Sequence, residues 1–423
     1  MRHRMAAVQQ LSHAYPMGSR LDERGRLQIG GCDALELARE FGTPAFIVAE
    51  DDLRARARAF VQAFAAHTDD FDVLFASKAF PCTAVYRVLA EEGIGCDVAS
   101  GGELATALRG GFAPGRILLH GNAKTEAELT YALDAGIGLV VVDGLDEVGK
   151  LQRILAPGRR QPVLIRVAPG VSPATHPAIS TGGPNTKFGL NLDDARVAID
   201  RLRADDRFDL QGIQFHIGSQ ILELDPFRAA LEAVAGLGDF RTYDLGGGLG
   251  VAYTGADHPP SIEAYAAAKV RMVEEVCGPG RRVLDEPGRA LVANSTVTLY
   301  TVESVKRNVD TWVAVDGGMS DNLRPMLYGA RYEVDVADRF GGGTRCNVTG
   351  KHCESGDVLV RDADLADPRV GDVLVTPATG AYGYAMANQY NGALRPPVVF
   401  AKDGDARVVV RRDTVEDLFA RDA

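Results

Sequence analysis

The sequence predicts an α/β protein, a (β/α)8 barrel followed by an all-β domain. Three observations carry this. Eight short apolar, strand-like runs recur between residues 73 and 286; an amphipathic helical stretch follows each of the first seven; and after Arg289 the helical stretches give out while strand-like runs continue. A doubly wound sheet is the structural rival, but its usual strand count is lower.

The eight runs are residues 73–78, 95–100, 116–121, 139–143, 163–167, 210–217, 242–246 and 282–286. The first, Val73-Leu74-Phe75-Ala76-Ser77-Lys78, is apolar and β-branched or aromatic, with no room for a helical face. Helical stretches between the runs include 81–92, 103–108, 125–134, 193–203, 226–235 and 262–276. Ahead of the barrel, residues 43–49 read as a strand and 51–64 as a helix. Beyond it, residues 291–306, 311–315, 348–360, 372–377 and 398–411 read as strands joined by Gly, Pro and Asp turns. Gly341-Gly342-Gly343 reads as a loop tip among them. The expected organisation is a barrel over residues 51–290 and a β domain over 291–423.

Composition narrows the function. The 423 residues carry a net charge of −11, which argues against nucleic acid or an anionic membrane as partner. No apolar run approaches the length of a membrane span, and the basic amino-terminal stretch has no apolar segment of the secretory kind. Six cysteines are scattered without C-x-x-C spacing and eight histidines do not cluster, so the expectation is no metal site, no disulfide framework and a reducing cytoplasm.

In such barrels the chemistry lies at the carboxyl ends of the strands. The first run ends in Lys78. An ammonium at the mouth of a buried strand costs several kcal/mol to desolvate, and burial lowers its pKa and frees a nucleophilic amine. A solvated lysine at a strand end is the simpler reading of this run by itself. The other runs add Asp97 and Ser100, His120 and Asn122, Asp143, Arg166, His216 and Ser219, Asp244, and Glu286 with Gly288 and Arg289. Their joint placement around one barrel mouth is stronger than any of them alone.

Residues 246–250 read Gly-Gly-Gly-Leu-Gly after the seventh strand. They form either a plain glycine turn or an anion cradle, since consecutive glycines can turn backbone N–H groups toward a phosphate. Arg289 or the Ser219 hydroxyl could add donors. The run is not a dinucleotide fingerprint, because its spacing is wrong and no ribose-binding acid follows. A phosphate site opposite a nucleophilic lysine suggests pyridoxal 5′-phosphate. Glu286 suits its ring nitrogen, and His216 is either a side chain packed on the ring face or a hydrogen-bonded core histidine.

The blocks ASKAF, CDVASGGEL, HGNAKT, FHIGSQI, YDLGGGLG, LDEPGR, VDGGMSDNLRPMLYGA, CESGDVL and GAYGYAMANQYN resemble diaminopimelate decarboxylases. That family belongs to the fold type III pyridoxal-phosphate group, beside ornithine decarboxylase and alanine racemase. The similarity runs in order from about residue 40 to 415. It implies an alanine racemase-like barrel joined to a β domain to which residues 1–50 return. It also implies decarboxylation of meso-2,6-diaminopimelate to L-lysine. By position, Lys78 resembles the Schiff-base lysine. Ser219, Gly248 and the segment from Glu286 through Gly288 to Arg289 resemble the phosphate and ring-nitrogen contacts, and His216 the residue stacked on the ring. Arg289, Arg324 and Tyr328 resemble the groups that hold the far carboxylate of the substrate, and Glu354 the one that reads its far amino group. Cys353 resembles the acid that reprotonates the reacting carbon. Tyr382 resembles a tyrosine touching cofactor and substrate. In the family Cys353 and Glu354 come from the neighbouring subunit, so a homodimer with shared sites is implied. Many members carry Pro and an apolar residue before the cysteine, where this chain has Lys351-His352.

The chemistry agrees. Two arginines and a tyrosine suit a carboxylate, which ornithine and lysine lack at that end, and Glu354 suits an ammonium. A related decarboxylase acting on another amino acid is the first rival. A non-catalytic regulator on the same fold is the second; such proteins lose catalytic residues, whereas Lys78, Glu286 and Cys353 are all present.

Overall fold

Eight parallel strands close into a barrel in chain order. They are β1 (Phe71–Ala76), β2 (Gly95–Val98), β3 (Ile117–Leu119), β4 (Leu139–Val142), β5 (Gln161–Arg166), β6 (Phe208–Gln214), β7 (Thr242–Asp244) and β8 (Arg282–Asp285). The last pairs with the first, Asp285 opposite Val73. The structure, a computed structural model, describes residues 11–171, 183 and 186–423; residues 1–10 of the basic amino-terminal stretch lie outside them.

The strands are apolar throughout because both faces are covered. All four residues of β4, Leu-Val-Val-Val, are buried, as parallel strands flanked by helices require. Leu74, Leu118, Leu139, Val141, Leu164 and Leu284 meet in one buried cluster, so the barrel is a filled core. Helices α1 (Thr83–Glu91), α2 (Gly101–Gly110), α3 (Glu126–Ala135), α4 (Leu145–Ile154), α5 (Leu192–Arg203), α6 (Asp225–Ala235) and α7 (Ile262–Cys277) follow β1 to β7 in turn. Their starts are written in the sequence. Thr125 and Glu128 make a capping box before α3, and Ser100, Asn191 and Ser261 accept from the first turns of α2, α5 and α7.

The described chain divides into two compact units: residues 54–250 with 259–291, and residues up to 53 with 251–258 and 292–423. The short excursion at 251–258 has no signal in the sequence reading. In the second unit a mixed sheet runs in the order Val358–Leu365, Thr344–Thr349, Thr311–Val315, Thr296–Arg307, Ala45–Ala49, Val398–Lys402, Asp405–Val410. Ala45–Ala49 sits at its heart, antiparallel to Thr296–Arg307 and parallel to Val398–Lys402. Ile47, Val297 and Val399 lie side by side there and are fully buried.

Three expected strands are corrected. Residues 348–360 are the ends of two antiparallel strands with a turn between them, and 398–411 is a hairpin turning at Asp403 and Gly404. Residues 291–306 begin in a short helix, Arg289–Val292, before the strand starts at Thr296. Among the described residues no helix is long and apolar enough to cross a membrane.

Candidate active site

Lys78 lies in a single 3-10 turn, Ser77–Ala79, just past the end of β1. Its side chain is exposed while Ser77 and Ala79 are buried, so the sequence-based premise of a desolvated lysine is corrected. The turn is tied to the segment after β8. Ala76 N–H donates to the Pro287 carbonyl at 3.1 Å. A Cβ on Gly288 would stand 3.1 Å from Ala76 Cβ and 3.2 Å from Ala79 Cβ, so this approach suits a residue without a side chain.

Glu286 is 6% exposed and both its oxygens are engaged. Oε1 meets His120 Nε2, and Oε2 accepts from Gln214 Nε2 at 3.0 Å. Burial alone would push this carboxyl up. The charge and hydrogen bond of His120, helped by a hydrogen bond from Asp244, outweigh it and bring it down to about 2. Asp244 shows the opposite outcome. Burial, then the charge of Glu286, pushes it well above the usual carboxylate range, so Asp244 keeps its proton and donates to Glu286. Asp97, with Oδ1 4.0 Å from His120 Nε2, is pushed up to about 7, chiefly by burial. His216 is held well below its ordinary value by burial and then by Lys78 and Arg166, so its ring is neutral at pH 7. The ligand atoms of Asp97, His120 and Glu286 lie within 4.8 Å of one another, as a metal site requires. Both Glu286 oxygens, however, are already committed to His120 and Gln214.

The glycines after β7 are required by space. A Cβ on Gly247 would fall 1.9 Å from the Glu286 carbonyl oxygen. Gly248 has φ +119, and a Cβ there would stand 2.6 Å from the Gly218 carbonyl oxygen. Beside this turn Ser219 Oγ accepts from Arg289 Nε at 3.2 Å and Nη2 at 2.9 Å. Those two bonds use the acceptor sites of the hydroxyl and leave its proton to donate elsewhere.

Lys78, His216, Ser219, Gly248, Glu286, Gly288 and Arg289 thus all belong to the barrel unit, at or beyond the carboxyl ends of its strands. Arg324, Tyr328, Tyr382, Cys353 and Glu354 belong to the β unit. Arg324 and Tyr328 begin and end one short helix. Arg324 is 5% exposed; Nη1 bonds the Tyr332 hydroxyl, and Cζ lies 4.7 Å over the Tyr253 ring. Among the described residues its buried Nε has no hydrogen-bond partner. Tyr382 has φ +67, a conformation a bulky residue adopts at a cost. Cys353 is exposed in the turn between two strands, its N–H on Asn391 Oδ1 at 3.0 Å, and Glu354 beside it is half-buried. His352 is buried, with Nε2 2.8 Å from Ser320 Oγ. Sequence reasoning noted Asp97, His120 and Asp244 only as strand-end polar residues. It missed Gln214, which sits in a run that reads as a buried strand, and Tyr253 and Tyr332, which fall outside every element the sequence predicts.

Residues 50–293 match the family model described as the pyridoxal-binding domain of pyridoxal-dependent decarboxylases. Over 421 residues the chain is 46% identical to the diaminopimelate decarboxylase of Actinosynnema pretiosum, covering 96% of this chain and 95% of that one. This chain belongs to the diaminopimelate decarboxylases. Solved members of the family share its fold. The M. jannaschii structure superposes with a TM-score of 0.89 at 33% identity, covering 96% of this chain and 97% of that one. The Helicobacter pylori diaminopimelate decarboxylase, solved with L-lysine, superposes at 0.86 and 31% identity, covering 91% and 98%. The cofactor of the family is pyridoxal 5′-phosphate, and the residues present fit it. A cradle that any Cβ would fill lies next to a buried, ionised carboxylate, and an exposed lysine stands on the neighbouring strand end.

Proposed function

We propose that this chain decarboxylates meso-2,6-diaminopimelate to L-lysine and CO2, with pyridoxal 5′-phosphate held covalently on Lys78. The observation that carries this reading is Glu286, kept ionised inside the barrel mouth against the glycine turn. When bound, the cofactor supplies an electron sink for the charge left as CO2 departs. Glu286 holds a proton at the ring nitrogen. The neutral His216 packs against the ring face. Gly248, the Ser219 hydroxyl and Arg289 receive the phosphate, with Gly288 letting the Lys78 turn approach. Arg324 and Tyr328, with Arg289, take the far carboxylate, and Glu354 takes the far ammonium. Tyr382 touches both cofactor and substrate. Cys353 delivers a proton to the reacting carbon.

The exposure of Cys353 in the β unit supports a homodimer in which Cys353 and Glu354 complete the neighbouring subunit's site. A cytoplasmic setting agrees with six free cysteines. The test is CO2 release from meso-diaminopimelate compared with lysine, ornithine and arginine, with cofactor added. Release from diaminopimelate well above the other three is the expected result. Equal or preferred release from a diamine precursor would overturn the assignment.

A further inference from the structure

Lys269 lies in the middle of α7, 1% exposed, and has no role in the site as built so far. Its Nζ stands 2.5 Å from Asp285 Oδ1, 2.6 Å from the Gly246 carbonyl oxygen and 3.4 Å from that of Leu245. The rings of Phe227 and Tyr265 lie under it at 4.4 and 4.5 Å, and the Tyr265 hydroxyl donates to the same Asp285 oxygen at 2.8 Å. All three ammonium donors are therefore spent. A buried ion pair is a weak source of stability, and an apolar side chain at this helix position would avoid its desolvation cost. Stability alone does not account for a charge here.

Its partners are the chain neighbours of the site. Leu245 and Gly246 lead into the glycine turn, and Asp285 precedes Glu286. A trans peptide is planar, so its C=O and N–H point opposite ways. Drawing the Leu245 and Gly246 carbonyls onto Lys269 turns the N–H groups of Gly246 and Gly247 away from it. The first is found on Asp244 Oδ1 at 2.9 Å, and Gly246 adopts φ +59 to permit it.

We propose that Lys269 is a positioning residue for the anion cradle: its ammonium clamps two carbonyls so that the Gly246 N–H is fixed on Asp244 and the Gly247 N–H is presented to a phosphate, and it anchors Asp285 beside Glu286. The clamp rests on the reading of residues 246–248 as the phosphate cradle.

The test measures dissociation constants of pyridoxal 5′-phosphate and of pyridoxal for the full-length apoenzyme by absorbance titration. The ratio of the pyridoxal constant to the pyridoxal 5′-phosphate constant reports the cradle and is insensitive to a general loosening of the fold. Lys269→Met is made on Asp285→Asn, so that no buried charge is left unpaired, and compared with the wild-type protein. The expected result is a ratio about tenfold lower in the double variant. Equal ratios overturn the clamp. Should the double variant show no cooperative unfolding, Lys269→Arg decides, because a planar fork cannot reproduce the grip of a point charge. A lowered ratio then supports the clamp and an unchanged one overturns it. Gly248→Ala separates the two readings: if it leaves the ratio unchanged, the cradle falls and the clamp with it. If it lowers the ratio while Lys269→Met on Asp285→Asn does not, the clamp falls alone.

Discussion

His120 and Glu286 join Nε2 to Oε1 at the barrel mouth, with side chains only 8% and 6% exposed. Together with Gln214 on the other oxygen, this contact keeps a buried carboxylate charged where burial would otherwise protonate it. Asp244, on the next strand, carries the proton instead. The Glu286 carboxylate is thereby ionised at every physiological pH without any solvent to sustain it.

Replacing His120 with Leu removes the main influence that lowers Glu286. The wild-type carboxylate is lost only as pH falls through about 2. In the variant it is lost at higher pH, so cofactor affinity weakens on the acid side and is retained at pH 8. The acid limb of the binding profile moves up by about one pH unit or more. Superimposable profiles would remove His120 from this role.

Lys78→Ala abolishes covalent attachment. Borohydride reduction of the loaded wild-type protein followed by peptide mapping labels the peptide containing Lys78, and the variant shows no label. Label on another lysine would refute the assignment.

Cys353→Ala retains cofactor and slows turnover. Loss of a positioned general acid typically costs about 10²–10⁴ in rate. The check is kcat measured with the cofactor absorbance unchanged; an unaltered kcat would exclude Cys353 from proton delivery.

Arg324→Ala raises KM for diaminopimelate by about 100-fold, the worth of a charge-assisted bidentate contact, and changes lysine binding far less. Tyr332→Phe removes the hydroxyl that orients Nη1 and gives a smaller change in the same direction. Equal losses for both ligands of the Arg324 variant would argue against reading of the far carboxylate.

Stability carries its own pH signature. Asp321, 1% exposed in the β unit, is pushed up from 3.8 to about 7 by burial, against the pull of hydrogen bonds from Tyr300 and the Gly318 N–H. The folded protein therefore binds a proton that the unfolded chain releases, and stability falls as pH rises from about 4 to 7. Asp321→Asn lacks this slope. Its deficit relative to wild type, measured by urea unfolding, shrinks by on the order of 3 kcal/mol between pH 5 and pH 8.

The barrel was legible because its strands are uniformly apolar and its helices carry caps such as Thr125 and Ser100 at their starts. Glu286 and the glycine run were legible because polar and backbone-special residues at strand ends stand out from apolar surroundings. Lys78 was found with the wrong environment: the sequence marks where β1 ends, not which way the next turn aims. Gln214 and Lys269 were hidden for the converse reason. One is the last residue of a strand and the other the middle of an amphipathic helix, and only folding shows that they face Glu286 and the Gly246 carbonyl. The two missed hairpins are runs of β-favouring residues on both sides of a short turn, which one-dimensional periodicity reads as a single strand.

Ala45–Ala49 has one sheet neighbour in Thr296–Arg307 and the other in Val398–Lys402. During synthesis it must therefore wait, with an open edge, until nearly the whole polypeptide has left the ribosome. Every barrel strand lies between those dates and emerges earlier. Truncation before Val398 would strand that edge permanently, so loss of a short tail is expected to harm the β unit far more than its length suggests.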